Sequence, residues 1–128
     1  MSFSFYQTAT KTSPEVKVDG ATGTVELRGN SSPENVLRFY EPVFQAIDDL
    51  RKTTSQNISA TFEMNYFNTG SSKCFYVILS KLKDLEASGR NITVIWQYEE
   101  DDDGMFEIGE DYRDMLGLSF EFKEACFH

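Results

Sequence analysis

The sequence predicts an α/β fold, with a mixed sheet of about five strands, an N-terminal β-hairpin and about three helices. Two observations support this fold class. Two short alternating segments near the amino terminus are separated by glycines, which is typical of a hairpin. Further along, alternating apolar segments are followed by segments with helical spacing, and such repeats favour a partly parallel sheet with crossover helices. At 128 residues the chain is expected to form a single domain.

The first elements are an arm and the hairpin. Residues 1–13 are rich in Ser, Thr and Lys, so we expect a loosely ordered arm with a short edge strand around Phe3 to Tyr6. The hairpin is predicted over residues 15–19 and 24–28, where apolar and polar residues alternate.

The first helix is predicted to begin at Ser32 and Pro33, because proline at the first helical position gives up an N–H that had no partner. Apolar residues then recur on one helical face as far as Leu50. Pro42 removes one backbone hydrogen bond inside this run, so we expect a kink or break near Tyr40 and Glu41.

The second half of the chain is predicted to alternate strands and helices. Gly89 and Gly117 follow the two helices, as left-handed C-caps do. Ile95 is apolar in an otherwise alternating strand, which predicts burial on both faces. The strands are predicted over residues 57–67, 92–97 and 118–127, and the helices over 71–87 and 105–115.

The composition limits the classes of partner. The net charge is −9, from 21 acidic against 12 basic residues, and nucleic acid or an anionic membrane would require a basic surface. No segment approaches the ~20 apolar residues of a membrane span, so we expect a cytoplasmic protein that binds other proteins. Cys74 and Cys126 lack metal-ligand spacing and are expected to be reduced thiols.

The turn between the central strand and the second helix carries the most chemistry. Its sequence is Asn68-Thr69-Gly70-Ser71-Ser72-Lys73. A helix N-terminus presents unpaired N–H groups and the positive end of the helix dipole, which suits a phosphate, either bound or covalently attached. Spacing alone favours a simpler interpretation, in which Asn68 or Thr69 caps the helix and Gly70 permits the turn.

Enzymatic activity is not expected. A Ser or Thr nucleophile needs a neighbouring base, and the only histidine is His128, the last residue. Lys73 lies four residues after Thr69, so a Ser/Lys pair has suitable spacing, although such a lysine is more often a surface charge. No phosphate-binding loop motif is present, and no cofactor is predicted.

An acidic segment, Glu99 to Asp103, follows the next strand. Its carboxylates could hold Mg²⁺, but it lacks the alternation of a calcium loop, and no metal is predicted. Glu100, Asp101 and Asp102 are better candidates for contacts with a basic patch on a partner. If the two strands are parallel, this segment and residues 68–73 lie at the same edge of the sheet.

Three sequence blocks together resemble the SiaC family of small bacterial signalling proteins. The resemblance extends from about Thr12 onward and implies a STAS-like fold, as in anti-sigma-factor antagonists. It also implies a Ser/Thr kinase of the histidine-kinase-like ATPase type and a PP2C-like phosphatase acting on Thr69, with Ser71 and Ser72 as alternative acceptors. The blocks are Tyr66 to Lys73, Ser32 to Asn35 and Trp96 to Asp102.

The resemblance further implies an effector, typically a diguanylate cyclase, that is bound by the unphosphorylated form. Our hypothesis is therefore a phosphorylation-switched adaptor that docks its partner through residues 68–73, with the acidic segment as a second candidate contact. The alternative is a small-ligand-binding or passive protein-interaction module that is not regulated by phosphorylation.

Overall fold

The computed structural model describes residues 4–125 and shows one six-stranded sheet with three helices. The strands follow chain order across the sheet. The second strand is antiparallel to both of its neighbours, the first and the third, and the last four strands run parallel. The elements are β1 (Ser4–Gln7), β2 (Glu15–Asp19), β3 (Thr24–Ser31), α1 (Val36–Asp49), β4 (Asn57–Phe67), α2 (Thr69–Ala87), β5 (Asn91–Glu99), α3 (Asp103–Leu116) and β6 (Ser119–Ala125), with a short 3-10 turn at Leu50–Lys52.

The helices cover one face of the sheet. Alternate residues of the central strands, among them Leu27, Phe62 and Trp96, point to this face and are buried. The opposite face is polar, and Arg28 there pairs with the carboxylates of Glu26 and Glu63. Ile95 lies on this second face and is only half-buried, so the prediction that its strand is buried on both faces was wrong. The reason is that no helix packs on that side.

The predicted fold class is confirmed, and the sheet has six strands where about five were expected. The sixth strand is β1, which lies where the short edge strand was predicted and pairs along its length with β2. The following loop is also attached, because the N–H of Ser32 donates to the carbonyl of Thr12 at 2.7 Å. Residues 4–13 therefore contact the sheet more closely than a loose arm would. Phe3 lies outside the described residues.

Helix α1 corrects the predicted helix start and shows no break at Pro42, and the kink that was the alternative to a break stays a prediction. Its N-cap is Asn35, whose side chain accepts from the N–H of Arg38 at 3.1 Å, so the helix begins after the Ser32-Pro33 pair. The later start follows from β3, which continues to Ser31. No break occurs at Pro42, because α1 is continuous through it. Pro42 is exposed, so the helix loses one bond there while its buried face stays packed.

The ends of α2 and α3 follow ordinary capping rules. Gly89 has φ +111°, and its N–H donates to Glu86 O while that of Arg90 donates to Leu85 O, which is a Schellman motif. Gly117 ends α3 with φ +67°. The last strand was predicted to end near Phe127; β6 is described to Ala125, and Cys126 and His128 lie outside the described residues.

Within residues 4–125, no helix combines the length and the apolar character that a membrane crossing requires.

Candidate functional site

The turn into α2 is fixed by Asn68. Its side-chain Oδ1 accepts from the N–H of Ser71 at 2.8 Å, and its carbonyl accepts from the N–H of Ser72 at 2.9 Å. Its own N–H donates to the carbonyl of Ser31 at 3.0 Å, which ties the turn to the end of β3. Within the part of the chain described, the N–H groups of Thr69 and Gly70 form no hydrogen bond. These two groups remain available to an anion.

The three candidate hydroxyls occupy different environments. Thr69 is the first residue of α2 and is exposed. Ser72 is half-buried. Ser71 has no exposed surface at all (0 %). Of the three residues, Thr69 is the one that is exposed.

Ser71 belongs to a buried chain of hydroxyls. Its Oγ donates to the carbonyl of Ser31 at 2.8 Å and accepts from Ser31 Oγ at 2.7 Å. The hydroxyl of Tyr40 lies 2.5 Å from Ser31 Oγ. Because the Ser31 proton is already directed at Ser71, Tyr40 must be the donor. Burial raises the pKa of Tyr40 above its ordinary value, so the phenol keeps the proton that this chain requires. The chain joins α1, β3 and α2 behind the turn.

Ser72 faces α3. The hydroxyl of Tyr112 donates to the carbonyl of Ser72 at 2.7 Å, and the Ser72 hydroxyl lies 2.8 Å from the Tyr112 oxygen. The Ser72 hydroxyl must donate in the second bond, since the Tyr112 proton is committed to the first. Burial also raises the pKa of the Tyr112 hydroxyl, which keeps it protonated. This pair fixes the first turn of α2 to α3.

Lys73 lies one helical turn after Thr69 and is exposed. No carboxylate within residues 4–125 forms an ion pair with it. Side chains at positions i and i+4 are neighbours on a helix surface. The Lys73 ammonium can therefore reach an anion on Thr69 or a carboxylate on a partner.

The acidic segment lies at the same edge of the sheet, as predicted, because β4 and β5 are parallel. Asp102 caps α3 through Oδ1, which accepts from the N–H of Met105 at 3.0 Å, while Glu100 and Asp101 are exposed. Among the described residues, no hydrogen bond or ion pair joins this segment to residues 68–73. The turn is joined instead to the body of α3, through Tyr112. Over the same residues, no cluster of His, Cys, Asp or Glu has metal-binding geometry.

Sequence reasoning missed Ser31, Tyr40 and Tyr112 as parts of this site. Tyr40 was grouped with the apolar face of α1, and its burial fits that grouping. A buried tyrosine hydroxyl nevertheless needs a partner, and this need was the one signal that the sequence offered. The partner itself was hidden, because Ser31 meets Ser71 only through the sheet. Trp96 packs in the core, with its Nε1 donating to Met105 O at 2.9 Å.

Fold and site together place the chain among small α/β proteins that present an exposed hydroxyl residue at a helix N-terminus. A family model assigns it more closely. Residues 7–125 match the SiaC family of regulatory phosphoproteins, and the chain belongs to that family.

Known relatives agree with the fold. The uncharacterized protein PA14_02130 of Pseudomonas aeruginosa (strain UCBPP-PA14) is 23 % identical over 111 residues, which covers 87 % of this chain and 88 % of the relative. The crystal structure of apo-SiaC from P. aeruginosa superposes with a TM-score of 0.85 at 22 % identity and covers 94 % of this chain and 98 % of that one. The chain is also similar to the crystal structure of the diguanylate cyclase SiaD in complex with its activator SiaC, from the same organism. The TM-score is 0.87 at 22 % identity, and the match covers 94 % of this chain and 99 % of that one.

Proposed function

We propose that this protein is a phosphorylation-switched activator of a diguanylate cyclase. The unmodified form binds the cyclase. A Ser/Thr kinase of the histidine-kinase-like ATPase type phosphorylates Thr69, and the phosphorylated protein releases the cyclase. A PP2C-like phosphatase removes the phosphate and restores binding. The observation that carries this proposal is the exposed Thr69 hydroxyl at the first position of α2. Membership of a family of regulatory phosphoproteins supports it, as does the fold shared with a SiaC that is described as the activator of SiaD.

The environments of the hydroxyls favour Thr69 as the acceptor. Modification of Ser71 would bring a phosphate into the packed interior and would break its bonds to Ser31. Modification of Ser72 would displace Tyr112 from the start of α2. Phosphate on Thr69 requires neither change, since its side chain already faces solvent.

A phosphate at Thr69 acts on binding more than on folding. It adds roughly −1.5 to −2 charges beside the free N–H groups of the turn and one helical turn from Lys73, where the folded protein tolerates them. At a desolvated interface, a like charge or an unpaired polar group costs several kcal/mol. The expected result is a large loss of affinity in a protein that stays folded. The chain itself is proposed to act as a regulator and not as a catalyst.

Intact-mass spectrometry after incubation with ATP and the cognate kinase tests the modification. The wild-type protein should gain the mass of one phosphate, and the phosphatase should remove it. Thr69→Ala should gain no phosphate, whereas Thr69→Ser, which keeps a hydroxyl at this position, should gain one. Phosphate that persists in Thr69→Ala would move the site to Ser72 or elsewhere, and no added phosphate in the wild type would defeat the switch.

Cyclase activity tests the consequence. The unmodified protein and Thr69→Ala should both raise the rate of product formation by the cognate diguanylate cyclase. The phosphorylated protein should not, and Thr69→Asp should lie between them because its charge is smaller. Equal activation by the unmodified and phosphorylated forms would leave a passive interaction module as the better description.

A further inference from the structure

Thr69 is held by its neighbours in the chain and not by its own polar groups. Within residues 4–125, its hydroxyl and its N–H form no hydrogen bond. The residues that flank Thr69 and Gly70 are both fixed, Asn68 on one side and Ser71 on the other. The direction in which the Thr69 hydroxyl points is therefore set by these two flanking residues.

Both flanking residues are bound to Ser31, which ends β3 and pairs with Phe67, the last residue of β4. The carbonyl of Ser31 accepts from the N–H of Asn68 at 3.0 Å and from the hydroxyl of Ser71 at 2.8 Å. The Ser31 hydroxyl donates to Ser71 Oγ at 2.7 Å. Three hydrogen bonds from one residue therefore fix both ends of the two-residue segment that begins with Thr69.

Tyr40 of α1 holds Ser31 in turn. Its hydroxyl donates to Ser31 Oγ, which leaves the Ser31 proton for Ser71. Tyr40, Ser31 and Ser71 are all fully buried, so each lost bond would leave a polar group unpaired away from water, and the set is expected to keep one geometry. We refer to Ser31, Tyr40, Asn68 and Ser71 as the Ser31 bracket. Through it, the packing of α1 against β3 determines the geometry of the Thr69 turn.

We propose that Ser31 and Tyr40 are positioning residues for the phosphorylation of Thr69. In that step Thr69 Oγ1 forms a bond to the γ-phosphorus of ATP, the bond from this phosphorus to the β–γ bridging oxygen breaks, ADP leaves, and the hydroxyl proton passes to a base of the kinase. Phosphoryl transfer requires the attacking and leaving oxygens to be roughly in line, so its rate depends on how the acceptor is aimed. The inference rests on the function proposed above and adds the residues that aim the acceptor.

Steady-state kinetics of phosphorylation by the cognate kinase test the positioning role. Ser71→Ala removes two of the three bonds to Ser31 and should lower kcat by about tenfold. Tyr40→Phe acts one bond further from the turn and should lower kcat by about threefold. The KM should be unchanged in both variants, because both side chains are buried and the surface that the kinase contacts stays the same. Mass spectrometry of proteolytic fragments should find the phosphate on Thr69 in each.

Thr53→Val is the matched control. The hydroxyl of Thr53 is buried and donates to the carbonyl of Gly20, and Thr53 precedes β4, whereas the Thr69 turn follows that strand. The variant therefore loses a buried hydrogen bond of the same kind at the opposite end of the sheet. Its kcat and KM should equal those of the wild type. Urea denaturation should show that all three variants are folded at the assay temperature, so a lower kcat reports the geometry of the turn.

The outcomes separate the two proposals. If the wild type is phosphorylated on Thr69, and if Ser71→Ala and Tyr40→Phe keep a kcat within about twofold of Thr53→Val, the positioning role is rejected and the proposed function stands. A higher KM with an unchanged kcat would also overturn the positioning role, because the Ser31 bracket would then act on docking of the kinase. Absence of any phosphorylation of the wild type would overturn both proposals together.

Discussion

The turns that open α2 and α3 are alike in position and opposite in charge. Both follow parallel strands at one edge of the sheet, and both are capped by an Asx side chain that accepts from a backbone N–H three residues later, at 2.8 Å for Asn68 and 3.0 Å for Asp102. The cap of α2 is neutral, and no acid occupies its first turn. The cap of α3 is a carboxylate, and Asp103 follows it.

This difference shows where the molecule can accept a new anion. The positive end of the α3 dipole already faces two carboxylates, so a phosphate there would meet like charge. The start of α2 has no such charge, and it carries the one exposed hydroxyl of its turn. The start of α2 is therefore the more favourable of the two turns for the phosphate that we propose at Thr69, and the acidic turn of α3 suits a partner's basic groups.

The middle of α3 packs closely on the sheet at Gly109, and this predicts the largest effect. A Cβ at Gly109 would lie 2.6 Å from Trp96 Cδ1 and 2.8 Å from Phe122 Cε1. Gly109→Ala should lower the free energy of unfolding by about 1–3 kcal/mol through overpacking, as measured by urea denaturation followed by Trp96 fluorescence. Gly104→Ala, whose Cβ would meet only Asp102 Oδ1 at 3.7 Å, should be neutral or stabilising by up to about 1 kcal/mol. Equal effects would mean that α3 is not closely packed on Trp96.

Local patterns predicted most of the fold. Alternation identified the hairpin and β4, and helical spacing identified α2 and α3, because these signals lie within each segment. The start of α1 was missed since the Ser32-Pro33 pair is a good helix start in isolation. β3 nevertheless continues to Ser31, which pairs with Phe67 of β4, and such a distant partner leaves no local signal.

The candidate site was predicted in outline and not in detail. The turn at Asn68 to Lys73 could be located from its hydroxyls and its position before a helix. The burial of Ser71 could not be predicted, since Ser71 bonds to Ser31, which lies 40 residues earlier and is itself bonded to Tyr40.

Removal of each cap sharpens the contrast between the two turns. Asn68→Ala and Asp102→Ala should each lower the free energy of unfolding by about 1 kcal/mol. Only the Asp102→Ala loss should shrink at high salt, because part of it is an interaction with the helix dipole. Asp101→Ala is the control, because it removes a neighbouring exposed carboxylate that caps no helix and changes the net charge of the protein by the same amount. An equal salt dependence for the two caps, measured by urea unfolding, would contradict the electrostatic difference.

The hydroxyl chain behind the α2 turn should appear in the pH dependence of stability. The pKa of Tyr40 is raised in the folded state by burial, whereas the unfolded value is about 10. The unfolded chain therefore releases this proton first, so its contribution to stability is present below pH ~10 and is lost as pH rises above it.

Tyr40→Phe isolates that contribution. It should cost about 0.5–1.5 kcal/mol at neutral pH, where Ser31 loses a hydrogen-bond donor, and it should make the loss of stability above pH ~10 less steep. Tyr6→Phe, at an exposed position on β1, should follow the wild-type curve. Urea midpoints measured across this pH range give both quantities. A Tyr40→Phe curve parallel to the wild type would show that Tyr40 is not kept protonated by burial.

The smallest effect is that of the phosphate on folding, and it decides whether the α2 turn is a switch for association or for stability. Phosphorylated Thr69 lies at the positive end of the α2 dipole and one turn from Lys73, so modification should raise the free energy of unfolding by only about 0.3–1 kcal/mol. The gain should fall at high salt, since Thr69 is exposed and its phosphate is screened. Thr69→Ala, treated with the same kinase, should show no change. A phosphorylated protein that is less stable by several kcal/mol would mean that the phosphate disrupts the turn, and loss of the partner would then follow from local unfolding and not from charge at an intact interface.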